Sequence, residues 1–454
     1  KSFLNGCNSL TNLIIQSKKS GSLTISNVFK NNKLKEVILH LPQLKLMSNC
    51  FEGLKDIEKV DIKCRIHDIG DNCFTKCQSI SSFTFISEQD LKLDKKMFDD
   101  LKKLDNLRIE TKSTLSISDD FLNGFSNLKK IKFVGKKVTI GNLCFKDCVN
   151  LSEFIIDESG SIQLGNNLFQ NCPNLETIYI KLKKEFESSC IIFGKSCFCG
   201  AFNLKDFNLE GGNVKINNDC FKSCSSLKNF YILNANSVEI DKNQFLNSVS
   251  LENVIIQSKL TTKIGENCFS GSSKLKIVSI TGNENIIIEN NAFKNCSTIR
   301  QLKTSITKKL NIGKNAFENC SNIEIIDFKF TTLFIDDECF KGSNVKEISF
   351  NKLDDLINIS DSAEIGSNAF KNNKKLEKVT INTKEICIHD SCFKCCQLLS
   401  EVNCPIADKI IISQNTFDDN YEKYLKYPLK TPVQIDTSKT DKKTFLERFG
   451  SIFI

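Results

Sequence analysis

The chain predicts an α/β-type solenoid, a superhelix of about 18 coils, each with two short strands and a short helix or 3-10 turn. Three observations carry this. A phenylalanine or leucine recurs at Leu4, Phe29, Phe51, Phe74, Phe98, Leu122, Phe145, Phe169, Phe198, Phe221, Phe245, Phe269, Phe293, Phe317, Phe340, Phe370, Phe393 and Phe417. Most steps between these anchors are 23 or 24 residues, the period of a stacked repeat rather than of separate domains. The residues at fixed offsets from each anchor keep the same chemical character.

Each part of the repeat has a physical reading. Six residues after the anchor stands Leu or Ile; nine and eleven after it stand aliphatics or Phe, as in Ile323, Ile326 and Phe328 after Phe317. That period of two describes a short strand with one buried face. A second alternating pair, such as Val138 and Ile140 or Ile286 and Ile288, marks a second strand. Two residues before the anchor stands Asn in ten units, including Asn72, Asn167, Asn267, Asn291, Asn315 and Asn368. Asn is a good helix N-cap, so the anchor and the residue three later are expected on a short helix or 3-10 turn, facing inward. One such coil has no partner for its apolar side; stacking supplies it. The expected core includes Phe145, Phe169, Phe221, Phe269, Phe293, Phe317 and Phe370, with Cys148, Cys172, Cys224, Cys296 and Cys320.

Two steps are long. Residues 181–197 and 351–369 each add about six residues, expected as surface bulges between strands. After Phe417 the repeat dissolves, so the chain divides into a solenoid, 1–418, and a C-terminal cap or tail, 419–454. The end of a solenoid needs such a cover.

Sixteen of the 22 cysteines sit in repeat slots, eight just before an anchor and eight three after it. The same slots elsewhere hold Ala, Ser, Leu, Met or Asn, so cysteine reads there as a compact buried hydrophobe. Disulfide frameworks use defined partners, and many coils carry a single Cys. The one CxxC, Cys392 to Cys395, has no second pair nearby, and the chain has three histidines, His40, His67 and His389, which argues against zinc.

Composition excludes several classes. The net charge is +8, from 58 Lys and only 4 Arg, with the lysines interleaved with acids. That is a solvated surface rather than a nucleic-acid stripe. No run of 18 apolar residues is present, so no membrane-spanning helix is expected. No phosphate loop and no nucleophile elbow occurs, so neither an enzyme activity, a cofactor nor a small-molecule substrate is expected. The paired acids beside anchors, such as Asp119–Asp120, read as turn and helix-start residues. The opening KSFLNGCNSL lacks the apolar core of a signal peptide.

A non-enzymatic role places function on the outward strand positions. Ten residues after the anchor lie Ile155, Tyr179, Asn208, Tyr231 and Ile255 in successive coils. At the ~4.8 Å spacing of neighbouring strands, they form a largely apolar row about 20 Å long. Ile155, Tyr179, Tyr231 and Ile255 are therefore the candidate residues for binding a protein partner, since exposed apolar surface and Tyr mark interfaces.

The unit Ile312-Gly313-Lys314-Asn315-Ala316-Phe317-Glu318-Asn319-Cys320, following Leu-x-x-Ile-x-Ile strands, resembles the BspA-like leucine-rich repeat, as does Ile365-Gly366-Ser367-Asn368-Ala369-Phe370. The resemblance spans roughly 1–418, although the family's usual Pro after the strand is mostly missing. It implies surface antigens or adhesins of bacteria and protists that bind host matrix or cell-surface proteins. The unpaired cysteines suggest instead an intracellular interaction module, so location stays open between surface and cytoplasm.

Overall fold

The structure is a computed structural model. It describes residues 9–18, 21–26, 29, 33–183, 189–304, 307–352, 361–425 and 432–436. The anchor Leu4 and the middles of both expected bulges lie outside these residues.

The chain winds into a parallel β-solenoid of about 16 turns, against the 18 coils expected. Each turn contributes one strand to each of two ladders, and every strand pairing is parallel. In the first ladder Glu153–Ser159, Thr177–Leu182, Asp206–Glu210, Asn229–Ala235 and Asn253–Ser258 follow one another. In the second, Lys137–Ile140, Ser161–Leu164, Cys190–Phe193 and Asn213–Ile216 do the same. Some coils run straight through both ladders: Glu36–Leu46 pairs with Asn12–Gln16 through its first half and with Ser22–Ile25 through its second. Residues alternate along most strands, so Val214 and Ile216 are buried while Asn213 and Lys215 face outward.

The anchors stack. From Phe145 through Phe169, Phe198, Phe221, Phe245, Phe269, Phe293, Phe317, Phe340, Phe370, Phe393 and Phe417, successive rings lie nearly parallel with centroids 4.9–5.7 Å apart. That separation is close to the strand spacing, so ring and ladder repeats keep step. Leu122 interrupts the column, and Phe98 instead meets Phe121 edge-on at 4.9 Å. Beyond Phe417 a 3-10 turn, Tyr421–Lys423, lays Tyr424 flat on the last anchor at 4.7 Å, and Val433–Asp436 adds a strand beside Lys409–Ser413.

Apart from the 3-10 turn that immediately precedes Phe98, the described anchor segments are not helical. Among the described residues there are only two 3-10 turns, Lys95–Met97 and Tyr421–Lys423. The Asn expected as an N-cap is instead a left-handed residue: Asn167, Asn267, Asn291, Asn315 and Asn368 all have φ between 52° and 56°. A second left-handed residue follows two after the anchor, as at Asn295, Asn319 and Gly342. The two reversals turn alternate amides along the solenoid axis. Asn291, Phe293 and Asn295 donate to the carbonyls of Lys314, Ala316 and Glu318 in the next coil at 2.8–2.9 Å. The segment thus spends its amides on the neighbouring coil, not on the i−4 carbonyls a helix needs. Asn is favoured because it tolerates the left-handed region.

The Ile-Gly signature has a steric cause. A Cβ on Gly165 would stand 2.3 Å from the carbonyl oxygen of Gly141, and one on Gly194 2.4 Å from the backbone of Gly165. These coils pass backbone on backbone, so glycine fits there without parting them, whereas other coils fill the slot with residues such as Asn217, Asp241 or Glu289.

Candidate interaction surface

The strand register sets the four candidate residues side by side. Ile155 pairs with Tyr179, Tyr179 with Asn208, Asn208 with Tyr231, and Tyr231 with Ile255. All face away from the core, because the residues flanking them in sequence are inward: Phe154 and Ile156, Ile178 and Ile180, Phe230 and Ile232, Val254 and Ile256. Tyr179 is the most open at 44% exposure; Ile155, Tyr231 and Ile255 are half-buried by their neighbours. The Tyr231 hydroxyl donates to Asn229 Oδ1 at 3.1 Å. Asn229 in turn donates to Asp206 at 2.6 Å and accepts from Asn253 at 2.7 Å, a polar ladder along one edge of the apolar row. On the N-terminal side the row runs into Lys132, which approaches Asp157 at 3.9 Å. On the C-terminal side it passes to Ser279 and Lys303. Asp327, further along, accepts from Asn351, which accepts from Asn382.

Some of the lysines are matched to acids across coils. Lys59 meets Glu36 at 2.7 Å, Lys276 meets Glu252 at 2.7 Å and Lys294 meets Glu318 at 2.7 Å. Such exposed pairs are worth about 0–1 kcal/mol each, and they leave mixed charge rather than a basic stripe.

Every expected core residue is buried: Phe145, Phe169, Phe221, Phe269, Phe293, Phe317, Phe370, Cys148, Cys172, Cys224, Cys296 and Cys320. Each described cysteine is a free thiol. Burial pushes the Cys148 and Cys296 thiols up to about 12. Yet the slot three after the anchor is more than hydrophobic. Cys148, Cys172, Cys296 and Cys320 donate to the carbonyl oxygens of Leu122, Phe145, Phe269 and Phe293, the anchors of the preceding coils, at 3.0–3.2 Å. Where the slot holds Ser272, Ser343 or Asn373, the side chain makes the same bond to Phe245, Phe317 or Phe340. The interchange of Cys with Ser and Asn was the signal in the sequence for a donor.

One polar cluster around His389 escapes the sequence reading. Glu364 and Cys387 are paired across the second ladder, and His389 shares the outward face of Cys387. His389 Nε2 lies 3.0 Å from Glu364 Oε1 and 3.8 Å from Cys387 Sγ. Burial draws the imidazole pKa down, but the hydrogen bonds and charges of Cys387 and Glu364 outweigh it and raise it to about 10. Both partners approach the same nitrogen. A nucleophile, base and orienting acid would use the two ring nitrogens separately, so this geometry does not assemble a triad. His67 is the opposite case, drawn down by burial with Ser87 Oγ 2.8 Å from its Nδ1. Among the described residues no group of three His, Cys, Asp or Glu side chains is placed to hold a metal ion. Nor is any helix there long and apolar enough to cross a membrane.

The fold and its surface define a repeat scaffold, in which flat ladders are held over a stacked-ring core. The model of the BspA type leucine rich repeat region (6 copies) matches residues 1–121, 91–228, 191–311, 238–363 and 352–431. The chain belongs to the BspA-type leucine-rich repeat family. Proteins of this repeat family are typically non-enzymatic interaction scaffolds. No curated protein matches by sequence. Among solved structures, a leucine-rich repeat protein from Bacteroides ovatus is similar at 20% identity, covering 79% of this chain and 86% of its own, with a TM-score of 0.32. A leucine rich cell surface protein from Faecalibacterium prausnitzii shows 12% identity over 93% of this chain and 92% of its own, TM-score 0.21. The pneumococcal vaccine antigen PcpA shows 11% identity over 95% and 93%, TM-score 0.23.

Proposed function

We propose that the chain is a non-enzymatic scaffold that binds a protein partner on its first strand ladder, through the row of Ile155, Tyr179, Tyr231 and Ile255. The observation that carries this is the register: four apolar side chains from different coils, with Tyr179 open to solvent, share one outward row. Burying a tyrosine there supplies apolar area at low entropic cost, and the adjoining Asp206–Asn229–Asn253 ladder offers polar groups for a rim. Residues 1–418 form the binding body and 419–454 the cap in this scheme. The partner is a host matrix or cell-surface protein, as the family resemblance implies. The free thiols support a second scheme, an intracellular module, and surface labelling of intact cells separates the two.

A photo-crosslinking amino acid placed at Tyr179, with a control at Lys215 on the other ladder, tests the site. We expect one defined protein adduct at 179 and none at 215, abolished when Tyr231→Ser is added. Equal adducts at both positions, or an adduct indifferent to Tyr231→Ser, would overturn the assignment.

A further inference from the structure

Among the described residues the coil-to-coil stitching of the anchor segments is wholly missing at three interfaces: from Phe74 to Phe98, from Phe98 to Leu122, and from Phe221 to Phe245, where a cleft opens. Ser196, Phe198 and Gly200 donate to the carbonyls of Asn218, Cys220 and Lys222 at 2.9–3.1 Å. One coil further, Asn243, Phe245 and Asn247 donate to Glu266, Cys268 and Ser270 at 2.7–3.1 Å. Between these two pairs, the equivalent amides of Asp219, Phe221 and Ser223 have no bond to the carbonyls of Lys242, Gln244 and Leu246. The side-chain stitch is missing too. Cys224 and Ser272 donate to Phe198 and Phe245, but Ser248 Oγ accepts from Leu251 and makes no bond to the Phe221 carbonyl, which keeps only the Cys224 amide at 3.2 Å.

The break is local. Asn229–Ala235 stays paired with Asn253–Ser258, Asn213–Ile216 with Ser237–Ile240, and the Phe221 and Phe245 rings remain stacked at 5.3 Å. Only the turn edge parts, opening a cleft of about 430 Å³ that includes Asp219, Ser223, Gln244, Leu246 and Val249. Gln244 stands where most other coils have Cys or Ala. Its Nε2 donates to the carbonyls of Asn217 and Asp241 at 2.8 and 3.2 Å, while its Oε1 is buried without a partner. The residue is 1% exposed.

We propose that this cleft binds a neutral polyhydroxylated molecule, a saccharide unit or a polyol. It presents three free amide donors opposite three free carbonyl acceptors, with an unpartnered amide oxygen beneath. A hydroxyl is the group that both donates and accepts, so a ring of hydroxyls answers both walls at once. Leu246 and Val249, 49% and 58% exposed, supply apolar surface for the C–H face of such a ring. The left-handed residues Asp219, Ser223, Asn243 and Asn247 bend both walls, so an extended peptide does not follow them. The volume lies within the range, about 300–1,000 Å³, of small-molecule sites.

The test is ligand-observed saturation-transfer NMR on the full chain with methyl α-mannoside, methyl β-galactoside, N-acetylglucosamine and myo-inositol, the last separating polyol from sugar. We expect transfer to at least one of them, with a Kd of about 1–10 mM or tighter. Gln244→Cys restores the residue of the neighbouring coils and lets the edge close. It should raise Tm by a few degrees and weaken binding at least tenfold. Val249→Trp, which crowds the mouth without touching the core, should weaken binding at unchanged Tm. No transfer to any of the four, or transfer that survives both substitutions, overturns the proposal. Tyr179→Ser and Tyr231→Ser should leave this binding untouched, so the outcome is independent of the protein-binding face.

Discussion

Removing one ring from the column tests whether coils are coupled mainly to their nearest neighbours. Phe317 is fully buried, with Phe293 and Phe340 each 5.0 Å away and within 4° of parallel. Phe317→Ala deletes the side chain and both stacking contacts, a loss of about 3–5 kcal/mol. In a stacked repeat this falls on the adjoining interfaces rather than on the whole chain. The amides that bridge them, Phe293 to Ala316 and Phe317 to Cys339, both 2.8 Å, report it directly. About 4 kcal/mol corresponds to roughly a thousandfold in the opening equilibrium. Hydrogen exchange followed by mass spectrometry should show that acceleration around 293–340 and little change around Phe145–Phe169. Phe317→Leu, which copies the natural anchor Leu122, should cost under about 1.5 kcal/mol. Uniform acceleration along the chain, or less than tenfold at the site, would refute nearest-neighbour coupling through the rings.

Other consequences follow from the same geometry. Cys320→Ser should stay within about 1 kcal/mol of the parent, because Ser343 makes the same bond, whereas Cys320→Val removes one of the two bonds the Phe293 carbonyl accepts, at a cost of about 0.5–1.5 kcal/mol in urea unfolding. Asn315→Gly should be nearly neutral and Asn315→Ala destabilising by about 1–2 kcal/mol, since its φ is 55°. By NMR, His389 should titrate near 10 and His67 below the usual range. The sign is fixed by linkage. A folded-state pKa raised from 6.5 gives stability fully present below about 6.5 and lost as pH rises through about 10. Glu364→Gln should flatten that alkaline loss.

The strands, the buried face and the stacking of the anchors were legible because each reduces to a hydrophobic period. Phe317, Ile323, Ile326 and Phe328 give their positions away by spacing alone. The row through Tyr179 was legible for the same reason, since an outward strand position is defined by its inward neighbours. The conformation around Asn315 was not. Asn is favoured both as an N-cap, where its side chain accepts an amide, and in the left-handed region, where it tolerates strain. Composition at one position does not separate these two uses; the second reversal, two after the anchor, does. Gly53, Gly124, Gly200, Gly271 and Gly342 share that slot with Asn295 and Asn319, which is a left-handed signature. The Cys387, His389 and Glu364 cluster was hidden because Glu364 comes from the neighbouring coil, 25 residues from His389.

The two left-handed residues per coil also explain why the fold has room for function at its turns. A helical repeat satisfies its amides within the coil, so neighbours meet through side chains alone. Here the amides at and on either side of most anchors reach into the next coil, so most turns depend on their successors for satisfaction. A substitution that parts two turns therefore exposes donors on one wall and acceptors on the other, while the ladders and the ring column hold the coils together. Gln244 sits at such a parting, with the Phe221 and Phe245 rings still stacked beneath it. Polar binding chemistry arises there from the backbone, without a catalytic residue and without loss of the core.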